Sequence, residues 1–234
     1  MAPFVCERDS AVYKAHSDWL LKDGAGKHVR TGSHWSGHVA LDTQNPEVRE
    51  YVTRCLRTAT REWGFEMLKL DFLYAACMVP HAGLNRGELM ADAIRLCRDA
   101  VGDDVIIDGC GVPLASTFGI VDFCRVGCDV GLDWNGPAYL HVTDRERVST
   151  LHSLGNTIYR APLDGRAFGN DPDVILMRAD VDYTDEQRAM VIDGAALHAS
   201  MMLTSDDPSG WTLAQVDTFQ EALNTMRQRK QNKA

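Results

Sequence analysis

A lysine and an aspartate two positions apart interrupt the apolar run Leu68-Lys69-Leu70-Asp71-Phe72-Leu73. On an extended strand, alternation sends Lys69 and Asp71 to one face and Leu68, Leu70 and Phe72 to the other. Charges in such a segment are costly to bury unless something compensates them. The pair therefore serves either as an ion pair within the sheet or as working chemistry. In an α/β pattern, barrel enzymes carry their catalytic groups at the C-terminal ends of strands, and Asp71 falls at such an end. A carboxylate there can act as a nucleophile or as a general acid or base.

A second set of reactive types lies downstream, in Gly109-Cys110-Gly111-Val112-Pro113-Leu114 and in Asp122-Phe123-Cys124-Arg125-Val126-Gly127-Cys128-Asp129, with Trp134 five positions later. Taken singly, each has an ordinary explanation. Asp129 reads as a loop or turn aspartate, and Cys110 as a small buried hydrophobe. Arg125 could pair with Asp122 or Asp71, and Trp134 could be a lid or a core residue. Asp171 and Asp173, flanking Pro172, read as turn formers, and Asp206 and Asp207 as helix-capping groups.

These residues need alternating strands and helices to hold them. Asn45, Pro46 and Glu47 open a helix whose apolar stripe is Val48, Val52, Cys55, Leu56, Ala59 and Trp63, with Gly64 as its stop. A strand over Glu66–Leu73 follows, then a helix over Arg86–Val101 ended by Gly102. Strands are expected at Asp104–Asp108 and Ile120–Val126, and a helix near Asp144–Tyr159. Gly169-Asn170-Asp171-Pro172-Asp173 reads as a loop before the apolar run Val174–Met177. Thr184-Asp185-Glu186-Gln187 is a capping box opening a helix through His198. Ser200–Thr204 reads as a strand. A last helix carries Leu213, Val216, Phe219, Leu223 and Met226. Strands separated by helices imply parallel pairing through right-handed crossovers, in an open sheet or a (β/α) barrel.

With 234 residues the chain can bury one core of the larger α/β kind, and no linker or repeat divides it, so one domain over 1–234 is expected. A net charge of −9 argues against nucleic-acid or anionic-membrane partners. No apolar run reaches the ~18 residues of a membrane span, and no secretory signal is visible at the N-terminus. Seven cysteines, scattered and odd in number, suit free thiols in a reducing, cytoplasmic compartment. His34 and His38 have the spacing of a metal pair. They lie in a Gly/Ser-rich stretch with no acidic third ligand nearby, so neither a metal nor another cofactor is expected. Neither GxGxxG nor GxxxxGK[ST] is present, which weighs against nucleotide binding.

Together, the ordered segments resemble the catalytic barrel of glycoside hydrolase family 36, the microbial and plant α-galactosidases. That pattern has K-x-D-F at the end of barrel strand four and G-C-G-x-P-L after strand five. R-[IV]-G-x-D ends strand six, with a tryptophan soon after. Ala2-Pro3-Phe4, Asp18-Trp19, Ala40-Leu41-Asp42, Asn170-Asp171-Pro172-Asp173 and Ser205-Asp206-Asp207 are further echoes, so the resemblance spans nearly the whole chain. It implies a retaining glycosidase acting on terminal α-galactosyl residues of oligosaccharides through a covalent glycosyl-enzyme. Asp71 would be the nucleophile and Asp129 the general acid/base, with Lys69, Cys110 and Arg125 lining the sugar pocket. Such an enzyme needs its two carboxyl groups roughly 5–5.5 Å apart. The family's proline before the acid is Cys128 here, a change expected to loosen that loop.

The resemblance begins at barrel strand three. The family's first two strands, one with an acidic pair that holds galactosyl hydroxyls, and its N-terminal β-domain have no counterpart in the chain. An incomplete (β/α)8 barrel of about strands three to eight is therefore expected. It would be complemented by an N-terminal polypeptide, associate as a homo-oligomer, or stand as an inactive remnant. α-N-acetylgalactosaminidase activity and galactosyl transfer remain alternatives within the enzyme class.

Overall fold

The computed structural model describes residues 1–31, 38–139, 142 and 148–232. His34 lies outside the described residues, and so does the beginning of the helix expected at Asp144. The chain forms two compact units, Met1–Asp122 and Phe123–Ala234.

In the first unit, β1 (Val5–Cys6) pairs antiparallel with β2 (Val39–Ala40). Helix α1 (Ala11–Ala15) is capped by Ser10, whose hydroxyl accepts from the Tyr13 amide. Helix α2 (Pro46–Arg57) starts as its sequence demands: Asn45 accepts from the Glu47 amide and Pro46 fills the first turn, where no N–H is needed. It buries Val48, Val52 and Leu56. A π-helical turn, Thr58–Glu62, then inserts extra rotation into the helix. That shift carries Trp63 off the apolar stripe, leaving it 69% exposed rather than in the expected core position. Gly64 closes the segment at φ +75°.

Strand β3 (Met67–Leu70) runs parallel to β4 (Ile106–Gly109), with Lys69 opposite Asp108 and Leu70 opposite Gly109. The expected strand thus stops three residues early. Asp71 follows β3, Phe72 adopts left-handed backbone at φ +52°, and Leu73–Cys77 turn as a 3₁₀ helix. Leu68 and Leu70 are buried as alternation predicts, but Phe72 has left the strand and is only half-buried. On the other edge of β3, the Met1 amino group donates to the Lys69 carbonyl and the Asp71 amide donates to the Met1 carbonyl, each at 2.7 Å. This is the bonding pattern of a parallel ladder.

Helix α3 (Arg86–Val101) matches its expected bounds. Asn85 and Glu88 form a capping box at its start, and Gly102 ends it at φ +84°. Its buried face, with Leu89, Met90, Ala93, Ile94 and Cys97, packs on α2. Each large apolar side chain so buried contributes about 1.5–3 kcal/mol.

In the second unit, β5 (Phe123–Arg125) runs parallel to β6 (Gly169–Asp171), and β7 (Val174–Ile175) runs parallel to β8 (Leu203–Thr204). The first three residues of the expected Gly169–Asp173 loop are therefore a strand. Gly, Asn and Asp are poor strand formers, but tertiary partners override the propensity. Fully buried Asn170 donates its side-chain amide to the Arg160 carbonyl at 3.0 Å, and its backbone amide donates to Asp164 Oδ1 at 3.0 Å. Gly169 fits because any Cβ there would meet the Phe123 ring at 2.7 Å.

Helices α4 (Thr150–Tyr159), α5 (Asp185–His198) and α6 (Leu213–Gln231) complete the unit, α5 opened by the expected Thr184 capping box. Ile175, Met177, Ile192, Ala195, Ala196 and Ala222 form its core, flanked by Trp211 and Phe219. Leu213, expected in the α6 stripe, is 84% exposed, because it occupies the first turn and the core meets the helix further along. All seven cysteines are free. No helix among the described residues is long and apolar enough to cross a membrane.

Candidate active site

Asp71 sits where β3 gives way to a turn. Its Oδ1 accepts from the Phe72 amide at 2.7 Å, which anchors the carboxylate to its own backbone. The left-handed conformation of Phe72 is uncommon for a bulky residue and costs on the order of 1–3 kcal/mol. Its neighbours hold it there. Leu73 and Tyr74 donate their amides to the carbonyls of Cys110 and Gly111, at 3.3 and 2.7 Å, so the turn after β3 is clipped to the turn after β4. Gly111 has φ +57°, and a Cβ at that position would lie 3.3 Å from both the Phe72 amide nitrogen and Cα. A glycine is needed there both for its conformation and for the close approach.

Lys69, Asp71 and Cys110 are thus brought together at the C-terminal ends of β3 and β4. Cys110 is buried, its amide donating to the Leu70 carbonyl at 2.8 Å. The Lys69 ammonium lies 3.4 Å from Asp108 Oδ2, the residue opposite it in register. Asp108 is fully buried while Lys69 is about one-third exposed, so the cation extends from the sheet interior toward the solvent side. Asp108 was not singled out by sequence reasoning. The available signal was its place two residues before Cys110, which puts both on the same side of an extended segment.

The second unit carries Arg125 and Asp129. Arg125 is 7% exposed, and its Nη2 lies 2.5 Å from Asp129 Oδ1 and 3.0 Å from Asp173 Oδ2. Asp129 itself is 61% exposed. Asp122, one of the pairing options for Arg125, binds Arg98 Nη2 at 2.6 Å and accepts from the Ile107 amide at 2.8 Å.

The loop carrying Asp129 is pinned residue by residue. Gly127 runs against α4, where a Cβ would meet Ser153 at 3.0–3.3 Å. The Cys128 thiol donates to the Ser149 carbonyl at 3.3 Å, a bond proline could not make, and burial pushes that thiol's pKa up. The Ser149 amide donates to the Asp129 carbonyl at 3.0 Å, and the Val130 amide donates to Asp173 Oδ2 at 2.7 Å. Gly131 donates to Thr150 Oγ1 at 3.1 Å and accepts from the Tyr183 hydroxyl, whose pKa burial raises. Trp134, half-buried, packs edge-on against Tyr183 with ring centroids 6.0 Å apart. Ser149, Asp173 and Tyr183 were missed as supports because they lie 20 to 54 positions from Asp129 in the chain.

Asp171 ends β6, and its Oδ1 accepts from the Asp173 amide at 2.8 Å, the bond by which an aspartate forms a turn two residues on, while Asp173 adopts left-handed backbone at φ +76°. Asp206 is not a helix cap. Its side chain is buried and accepts from the amides of Met177 and Arg178 and from the Trp211 indole, tying together the segments after β7 and β8. Asp207 does cap a short turn, through the Ser209 amide at 2.9 Å. No group of three or more metal-ligating side chains is found among the described residues.

No protein-family model matches the chain. The α-galactosidase from Thermus thermophilus, solved in complex with p-nitrophenyl α-D-galactopyranoside, matches 95% of this chain at 31% identity and a TM-score of 0.85. The same enzyme in complex with stachyose matches at 30% identity and a TM-score of 0.85. The chain spans 46–48% of the length of those structures. The isomalto-dextranase of Arthrobacter globiformis, at 17% identity and a TM-score of 0.62 over 97% of this chain, shares the fold alone. The architecture is that of part of a glycosidase (β/α) barrel. Over 95% of its length the chain is similar to the Thermus α-galactosidase, a glycoside hydrolase of family 36, and it spans about half of that enzyme.

Proposed function

We propose that this chain carries the two catalytic carboxylates of a retaining glycoside hydrolase acting on terminal α-galactosides. The similarity to an α-galactosidase solved with an aryl α-galactoside and with stachyose, over 95% of this chain, carries the reading. In it, residues 1–234 act as one partial barrel domain, and the protein works in the cytoplasm without a cofactor. The Asp71 carboxylate attacks the anomeric carbon. The glycosidic C–O bond breaks as its oxygen takes a proton from Asp129, leaving a galactosyl ester on Asp71. Asp129, now a carboxylate, takes a proton from water as that water attacks the anomeric carbon. The anomeric C–O bond to Asp71 breaks as water adds, galactose leaves, and both groups return to their starting states.

The local geometry fixes both groups in place. Asp71 is held by the Phe72 amide beside the clipped turns, while Asp129 is solvent-accessible on a pinned loop. Lys69, Cys110 and Arg125 are assigned to the sugar pocket. Lys69 and Arg125 are fixed by buried carboxylates, Asp108 and Asp173, which orders their long side chains before ligand binds.

Hydrolysis of p-nitrophenyl α-galactoside by the purified chain tests the reading, with the N-acetylgalactosaminide as the control for sugar specificity. Because the chain spans under half of the Thermus enzyme in one complex, a second reading is a non-catalytic counterpart that works with a complementing N-terminal polypeptide or with further copies of itself. A folded chain with no turnover on any α-galactoside supports that second reading.

A further inference from the structure

Asp173 has no place in the proposed reaction, yet it is built into the support of Asp129 from two directions. One oxygen, Oδ2, accepts from the amide of Val130, the residue after Asp129, at 2.7 Å. The same oxygen lies 3.0 Å from Arg125 Nη2, the atom that contacts Asp129 at 2.5 Å. Asp173 is only 10% exposed, so these contacts are made where water competes little.

Its own placement is also specified. It occupies left-handed backbone at φ +76°, and its amide donates to Asp171 Oδ1 at 2.8 Å. Asp171 is Arg125's register partner across β5 and β6, so the strand pair that seats Arg125 also aims Asp173 at it. The Ser153 hydroxyl donates to the Pro172 carbonyl at 3.2 Å and fixes the turn from the α4 side.

We propose that Asp173 is a positioning residue for Asp129. It fixes the backbone after the acid through Val130, and it fixes the Arg125 guanidinium that meets the acid's carboxyl group. A turn aspartate needs neither contact. The inference rests on the assignment of Asp129 as acid/base, and it states how that group is aimed at the leaving-group oxygen. A 1 Å error in such aim is enough to cost much of a proton-transfer advantage.

The test compares the wild-type chain, Asp173→Ala and Asp173→Asn by two measurements. The first is amide hydrogen exchange by NMR. Loss of the acceptor should speed Val130 exchange about 10-fold in Asp173→Ala, with Ala195 in α5 still protected. Unchanged Val130 protection overturns the proposal. The second is turnover of α-galactosides with leaving groups of graded acidity. Asp173→Ala should lose about 100-fold on an alkyl α-galactoside and less than about 5-fold on a dinitrophenyl one, because a misaimed acid matters only where protonation is needed. A uniform loss across the series marks a general structural role and overturns the proposal.

If the alanine variant loses protection throughout its unit, Asp173→Asn carries the test. It keeps an acceptor for Val130 but removes the charge facing Arg125, and it should show the same leaving-group dependence at about one-tenth the size. An absence of α-galactoside turnover in the wild type overturns the functional reading instead, and Val130 exchange still decides the positioning role.

Discussion

Lys69 and Asp108 lie directly opposite each other across the parallel pair β3 and β4, with Nζ 3.4 Å from Oδ2 and the aspartate fully buried. The bond is asymmetric, since the lysine reaches water and the carboxylate does not. Lys69→Ala should therefore destabilise the chain by about 3 kcal/mol, chiefly by removing the cation that faces the buried carboxylate. Adding Asp108→Asn should return more than half of that loss. Urea midpoints of the two single variants and the double variant check both statements.

The two proposed catalytic carboxylates should fail differently. Asp71→Ala should abolish glycosyl-enzyme formation on every substrate. Asp129→Ala should spare the first step on aryl glycosides with good leaving groups, which need little protonation, and external azide should restore turnover by attacking the trapped ester. Equal loss on activated and unactivated substrates removes Asp129 from the acid role.

Gly111→Ala tests the clipped turns beside Asp71. A Cβ would be strained at φ +57° and would press on the Phe72 backbone at 3.3 Å. The conformational penalty alone is about 1–2 kcal/mol, and displacement of Phe72 should lower turnover beyond that. Gly64→Ala is the control, with φ +75° and open space around its Cβ. It should cost stability alone, read as a lowered melting temperature with unchanged turnover per folded molecule.

Alkaline stability should reflect the buried thiols. Burial pushes the Cys97 thiol from 9.0 up to about 12. Above pH 9 the unfolded chain releases this proton while the folded chain retains it, so the unfolded state binds fewer protons and stability falls as pH rises from 9 toward 12. Below pH 9 the contribution is fully present. Urea midpoints between pH 8.5 and 10.5 should decline, and Cys97→Ala should flatten the decline. Cys97 should also resist alkylation until the chain unfolds.

The sequence by itself determined the helix α3 to the residue, the starts of α2 and α5, and the stops at Gly64 and Gly102. Caps, proline at the first turn and left-handed glycine act through bonds within a few residues, so they are legible locally. The ordered segments around Asp71, Cys110 and Asp129 also carried the resemblance that the similarity to the Thermus α-galactosidase supports. Only tertiary structure decided where β3 ends, because Phe72 is held left-handed by the turn after β4, reached through the Cys110 and Gly111 carbonyls. It likewise decided that Gly169–Asp171 is a strand despite its composition, since the buried Asn170 donates its side-chain amide to the Arg160 carbonyl and its backbone amide to Asp164. The phase slip that exposed Trp63 came from a π turn that no residue in the stripe announces. The pinned loop under Asp129 was equally hidden, because Ser149, Asp173 and Tyr183 reach it across long separations in the chain. Local chemistry sets how a segment starts and stops, whereas buried polar groups must find partners wherever the fold brings them, and that choice is made only on folding.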